Sequence, residues 1–319
     1  MDEMEVDIQE IRLASDAPYD MAIPDLLRER ALHGRDHTLC IVRVVSLVPA
    51  ATEIACAVGA LSTLVAVTHD CDFPSEVRAL PRVTSATIPV GATSREIDTL
   101  VRDAASRGDS TFHLDAGALR EAAPDVILGQ TLCAVCAVTL DQIPRNLAHR
   151  PRVVPLEATS LEGMYADVVR VGDALSRAAA ARQLVASLRS RVDAVRNAVA
   201  GRARPRVACI EWIDPPFNGG HWVPEQVDLA GGNDVLGEAG ARSRELDWDE
   251  VRAARPEIVV VMPCGWDARR AEREARAMPD LGARVVAVDG NAYFSRPGPR
   301  LVDGVALLAS IFHPSSALI

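Results

Sequence analysis

Two short segments carry the residue types that ligate metals or act as nucleophiles: Thr68-His69-Asp70-Cys71-Asp72-Phe73-Pro74 and Gln130-Thr131-Leu132-Cys133-Ala134-Val135-Cys136. A Cys-x-x-Cys loop can set two thiolates about 3.5–4 Å apart on one Zn2+, or close a redox disulfide around a thiol of lowered pKa. It makes only half of a zinc site, and His69 with Cys71 can supply the other half. His69, Cys71, Cys133 and Cys136 are therefore a candidate Zn or Fe site, and a thiol- or zinc-dependent enzyme using Cys133, Cys136 and His69 is the catalytic alternative. The plainer reading is reduced cysteines packed beside a cleft. No GxSxG, HExxH or phosphate-binding loop occurs, and no GxGxxG follows a strand. The chain reads first as a binding protein rather than an enzyme.

A third segment, Glu211-Trp212-Ile213-Asp214-Pro215-Pro216-Phe217-Asn218-Gly219-Gly220-His221-Trp222, concentrates aromatic rings in a loop stiffened by proline. The chain has only twelve aromatic residues, so this clustering points to a planar or apolar ligand. Met262-Pro263-Cys264-Gly265-Trp266 and Tyr293-Phe294-Ser295-Arg296-Pro297-Gly298-Pro299-Arg300 add further rings and arginines. An aromatic cluster packed under the loop is the competing reading.

All these segments follow apolar, β-branched runs. Strands are expected at Val42–Leu47, Leu64–Thr68, Asp125–Gly129, Arg152–Leu156, Arg206–Trp212, Glu257–Met262 and Arg284–Val288, separated by helical patterns. That alternation predicts βαβ units around parallel sheets buried on both faces. In such folds ligands bind beyond the carboxyl ends of the strands, where these loops lie. Leu161 to Gly201 holds no proline, and its apolar residues recur every three to four positions. Thr159 with Glu162 reads as a capping box and Ser176 as a second cap. A helix over Ser176–Ala200 spans about 37 Å, enough to join two lobes. The expected fold class is α/β, with two Rossmann-like lobes joined by a long interlobe helix and a ligand cleft between them. The expected divisions are an acidic, loosely ordered arm (1–40), an N-terminal lobe (41–160), a helical segment (161–204) and a C-terminal lobe (205–313).

The 319 residues are 49% hydrophobic and 24% charged, which describes an ordinary globular protein. The net charge is −10, and arginine supplies every basic side chain because lysine is absent. A nucleic-acid groove is not expected from this balance. The first 38 residues hold ten acids against four arginines, so they lack the basic start and apolar run of a secretory leader. No stretch reaches the roughly 18 apolar residues of a membrane helix. The expected location is cytoplasmic, or periplasmic if translation starts elsewhere. Seven cysteines, an odd number, argue against a disulfide framework.

In order along the chain, SLVPAATE (Ser46 to Glu53), Asp72-Phe73-Pro74, APDVIL (Ala123 to Leu128), DPPF (Asp214 to Phe217), EQVDLAGG (Glu225 to Gly232) and YFSRPGPR (Tyr293 to Arg300) resemble the iron-complex and cobalamin class of periplasmic substrate-binding proteins. The resemblance is greatest to the vitamin B12-binding branch and covers roughly residues 41 to 313. It implies a non-enzymatic protein closing two lobes over a corrinoid such as cobalamin, with a haem or siderophore binder of the same fold as the alternative. It also implies that Phe217, Tyr293 and Phe294 pack on the corrin, and that Glu96 and Asp228, one per lobe, dock on arginines of an ABC permease. Asp70 stands where the branch has an aromatic contact, and Ala86 to Ser94 lacks its tryptophan. The expected ligand set therefore also includes Trp222 for stacking, Arg296 for polar amides or a phosphate, and His221 or His69 as an axial ligand to cobalt or iron.

Overall fold

The computed structural model describes residues 42–131, 138, 142–144, 147 and 149–314; Cys133, Cys136 and the acidic segment 1–40 lie outside them. β1 (Val44–Ser46) runs into α1 (Pro49–Ala57), which Pro49 opens at a position where its missing N–H needs no partner. β2 (Leu64–Ala66) follows. An excursion then leaves the sheet: β3 (Thr84–Ala86), α2 (Ser94–Ser106) and β4 (Phe112–Leu114), with β3 and β4 paired antiparallel at its root. α3 (Ala116–Ala122), β5 (Val126–Gln130) and β6 (Arg152–Leu156) complete the lobe. Its sheet is parallel, in the order β2-β1-β5-β6.

Residues 161 to 201 form two helices, α4 (Leu161–Ala174) and α5 (Ala178–Val199). Ser160, not Thr159, caps α4: its backbone is extended and its Oγ accepts the N–H of Gly163 at 3.1 Å. Ser176 does not cap α5; it breaks the chain with a left-handed φ of 56°, and Arg177 precedes the helix without a side-chain cap. A β-carbon on Gly172 would fall 2.3 Å from that of Ala181, so glycine is what lets α4 and α5 touch. The 22 residues of α5 give a rod of about 33 Å.

The second lobe comprises β7 (Arg206–Ile213), β8 (Pro216–Asn218), α6 (Val223–Leu229), β9 (Asn233–Asp234), α7 (Trp248–Ala253), β10 (Ile258–Val261), α8 (Ala268–Ala275), β11 (Arg284–Ala287), α9 (Gly290–Tyr293) and α10 (Leu301–Phe312). Its sheet runs β11-β10-β7-β8 with β9 also on β7; only β8 is antiparallel.

Each sheet is buried on two faces, which explains why its strands lack polar alternation. Val126 and Leu128 of β5, Val207 and Cys209 of β7 and Val260 of β10 face one apolar core that also holds α1, α4, α5, α6 and α10. Ile127 faces a second cluster specific to the first lobe, and Ile210, Val259 and Val261 a third in the second lobe. Among the described residues no helix is long and apolar enough to cross a membrane.

Candidate functional site

The carboxyl edges of the two sheets face each other. α1 presents Glu53 from its middle turn, 4% exposed. Two arginines of the loop after α9 reach it from the other lobe. Arg300 makes a bidentate pair, Nε to Oε2 at 3.0 Å and Nη2 to Oε1 at 2.6 Å. Arg296 lies 3.4 Å from Glu53, donates to Asp72 at 2.5 Å and to the carbonyl of Asp70 at 2.9 Å. Burial works against the charge of Arg300, but the hydrogen bond and field of Glu53 outweigh it and raise its pKa. The Arg300 guanidinium also covers the Phe73 ring at 4.2 Å. Two acids and two bases are thus matched across the lobes. Beside them the space among Val48, Ala50, Gln130, Leu156, Ala158 and Pro297 is about 10 Å3, so the lobes are in contact here.

The residues singled out in the sequence divide into engaged and available groups. Trp222 is 5% exposed and its Nε1 donates to the Phe294 carbonyl at 2.7 Å. Phe294 is 3% exposed in the shared core. Neither ring offers a face to a ligand, contrary to expectation, because both close the hydrophobic wall behind the loop. Arg296 is likewise committed to Asp72, Asp70 and Glu53 rather than to amides or phosphate. Phe217 and Tyr293 are half-buried, and Asp70 is exposed at the edge. His221 is held at a left-handed φ of 53° and stacks on Trp222 at 5.6 Å. Burial, with the nearby Arg242 charge, lowers its pKa, and its Nδ1 has no partner among the described residues. The shift favours the neutral imidazole, the form that ligates a metal.

The proposed four-ligand metal site does not assemble within what is described. Cys71 turns inward, 1% exposed, with its Sγ 3.0 Å from Thr52 Oγ1 and 3.3 Å from Thr68 Oγ1. His69 points its Nδ1 at Thr84 Oγ1, 2.7 Å away, and its ring at Phe112. Among the described residues no group of three or more His, Cys, Asp or Glu is placed to hold an ion. Cys133 and Cys136 lie outside the described residues.

Thiol chemistry separates the described cysteines. Burial pushes Cys56 up to about 12, raises Cys71, and raises fully buried Cys209 well above the ordinary range. Cys264 is exposed at the end of β10. Brief iodoacetamide treatment at pH 8 followed by peptide mapping is expected to label Cys264 at least about a hundredfold faster than the other three, which react only in denaturant. Labelling of Cys71 at the rate of Cys264 would mean that His69 and Cys71 do share an open ligand pocket.

What the sequence did not show is that two of the tryptophans it placed in loops meet. Trp212 and Trp266 meet at 5.0 Å between ring centroids, and Arg270 of α8 lies 4.1 Å over Trp266. Trp212 Nε1 has no partner among the described residues. Trp212 lies at the end of β7 and Trp266 in the loop after β10, which was the available clue. Ile97 of α2 packs on this cluster from the first lobe. Of the two acids expected to face a permease, Glu96 closes a capping box with Thr93 and Asp228 pairs with Arg204.

With this geometry in view, similarities to known proteins place the chain. The cobalamin-binding protein of Halobacterium salinarum is 28% identical over 173 residues, covering 49% of this chain and 45% of that protein, so the match spans less than half of the relative's length. The periplasmic haem-binding protein of Pseudomonas aeruginosa superposes with a TM-score of 0.61 at 21% identity, covering 86% of this chain and 93% of the other. The periplasmic vitamin B12-binding protein of Vibrio cholerae gives 0.58 at 19% identity, covering 85% and 96%. At such identities these structures establish the two-lobed α/β fold. Residues 44–280 match the periplasmic binding protein family across most of the chain, and the protein belongs to that family.

Proposed function

We propose that the protein binds, without transforming, a corrinoid such as cobalamin in the cleft between its lobes, as a substrate-binding protein. The observation that carries this reading is the placement of the half-buried Trp212, Phe217, His221 and Tyr293 in the segments that close or follow β7 and β11, on the lobe whose arginines reach Glu53 of the other. Flat faces suit a corrin ring, and an imidazole suits its metal. The similarity to a cobalamin-binding protein supports the ligand class. Haem or an iron–siderophore complex is the alternative cargo, as the family resemblance to haem binders suggests. Glu96 and Asp228 are the positions at which an ABC permease would dock, each exposed and one per lobe.

Absorbance and calorimetric titrations with hydroxocobalamin and, separately, with haemin test the reading. Saturable one-to-one binding of hydroxocobalamin is expected, with a shift of the corrin bands that is lost in His221→Ala. Saturation without a shift leaves stacking as the mode of binding. Tighter binding of haemin would reassign the cargo to an iron complex.

A further inference from the structure

The two lobes are fastened in two physically different ways. Glu53, Arg296 and Arg300 form a buried bridge, with side chains 3%, 8% and 14% exposed, and Asp72 joins it from the surface at 43%. On the other side, α2 crosses from the first lobe and lies against the second through solvent-exposed contacts. Arg95 pairs with Asp214, Nε to Oδ2 at 2.9 Å, with the side chains 72% and 39% exposed. Arg102 pairs with Glu245 at 2.8 Å, 53% and 50% exposed. Arg270, the residue covering Trp266, donates to the carbonyl of Ala92. Ile97 rests on the apolar cluster that includes Trp212 and Trp266.

Toward its own lobe, α2 is poorly held. Of its thirteen residues only Ser94 and Ala104 are buried. A cavity of about 730 Å3 lies behind it, lined by Leu100, Ala104, Arg107, Thr111 and Phe112 among others. The chain leading in is open: Val90 is fully exposed, and Gly91 takes a φ of +88° with free space where a β-carbon would stand. Within itself the helix is well built, since the Thr93–Glu96 capping box satisfies its first turn and Arg102 pairs with Asp98. The excursion is rooted in the β3–β4 ribbon, where Thr87 N–H donates to the Thr111 carbonyl at 2.9 Å. Few buried contacts and a narrow root describe a segment that detaches at small cost, and a helix of thirteen residues without its packing is marginal in water, so its amides lose protection when it does.

We propose that residues 87–111 are a gate over the Trp212–Trp266 floor. It lifts about the β3–β4 ribbon to admit the ligand while the buried Glu53–Arg300 bridge stays closed. This rests on the binding reading above, and it assigns the half-buried Trp212 under the gate as the ligand's stacking face, Trp266 being 3% exposed and covered by Arg270 of its own lobe. Ligand access then depends on ionic strength, because the fastening pairs are exposed: the Debye length falls from about 30 Å at 0.01 M to about 3 Å at 1 M salt.

Hydrogen–deuterium exchange of the full chain without ligand tests the gate directly. Arg95→Ala/Arg102→Ala is expected to raise exchange of amides 94–106 by up to about fivefold per lost pair at low salt, leaving β7 and β10 unchanged. High salt brings the wild type toward the variant, and the charge exchange Arg95→Asp/Asp214→Arg restores much of the protection. Stopped-flow mixing with hydroxocobalamin is expected to show a parallel rise in association rate. Exchange at 94–106 that is unaltered, or that rises equally across both lobes, overturns the gate. If exchange responds as expected and hydroxocobalamin does not bind, the gate stands and the cargo assignment falls.

Discussion

Glu53→Ala is expected to lower the unfolding free energy by about 3–5 kcal/mol, the usual cost of removing one partner from a buried charge cluster. Arg300 loses both hydrogen bonds of its bidentate pair, and Arg296 keeps Asp72 and the Asp70 carbonyl alone. An arginine does not shed its charge to escape burial, so the cavity left by the carboxylate must admit water or the lobes must part. Urea unfolding followed by circular dichroism measures the loss, with a fall in melting temperature of roughly 6–20 °C. Glu53→Gln retains an acceptor and is expected to lose less. Glu53→Leu/Arg300→Met, which replaces the pair by apolar volume, is expected to recover much of the stability. A loss below about 1 kcal/mol in Glu53→Ala would show that the bridge behaves as a surface pair and does not hold the lobes.

Trp222→Ala is expected to cost a similar amount, about 3–5 kcal/mol, through the void left in the shared core. The milder Trp222→Phe keeps most of the apolar volume but strands the Phe294 carbonyl that Nε1 now satisfies, at about 1–3 kcal/mol. Corrinoid affinity of Trp222→Phe is expected to match the wild type, because the ring faces the core. Trp212→Ala is expected to behave in the opposite sense, weakening affinity by roughly two- to tenfold through lost stacking. Parallel titrations of the two variants decide between Trp222 and Trp212 as the ligand's stacking face. A selective affinity loss in Trp222→Phe would return that residue to the ligand's surface.

The sequence made the frame legible and much of its fastening illegible. Strand positions could be read because parallel strands covered on both faces are unbroken apolar runs, and Arg152–Leu156 was located to the residue. The excursion was not placed, since β3 and β4 have three residues each, although Ile97, Leu100, Val101 and Ala104 recur at helical spacing in α2 behind the Thr93–Glu96 capping box. Aromatic residues gathered in loops were visible as a cluster, yet which rings face inward depends on tertiary contacts. Trp222 and Trp212 are ten positions apart in one loop region and play opposite parts. Arg296 shows the same limit for charge: its guanidinium reads as a ligand contact until Asp72 and Glu53, more than 220 positions away, are seen beside it.

The shared core has a consequence for how the molecule comes apart. α1, α4, α5, α6 and α10 bury their apolar stripes in a single continuous mass that draws residues from both sheets. The lobes are two architectural units and one cooperative one. A chain severed between α5 and β7 would leave each half with a torn hydrophobic face, so neither half is a module that evolution or an engineer could transplant alone. The α4–α5 spine is thus less a tether between domains than the keel on which both are laid.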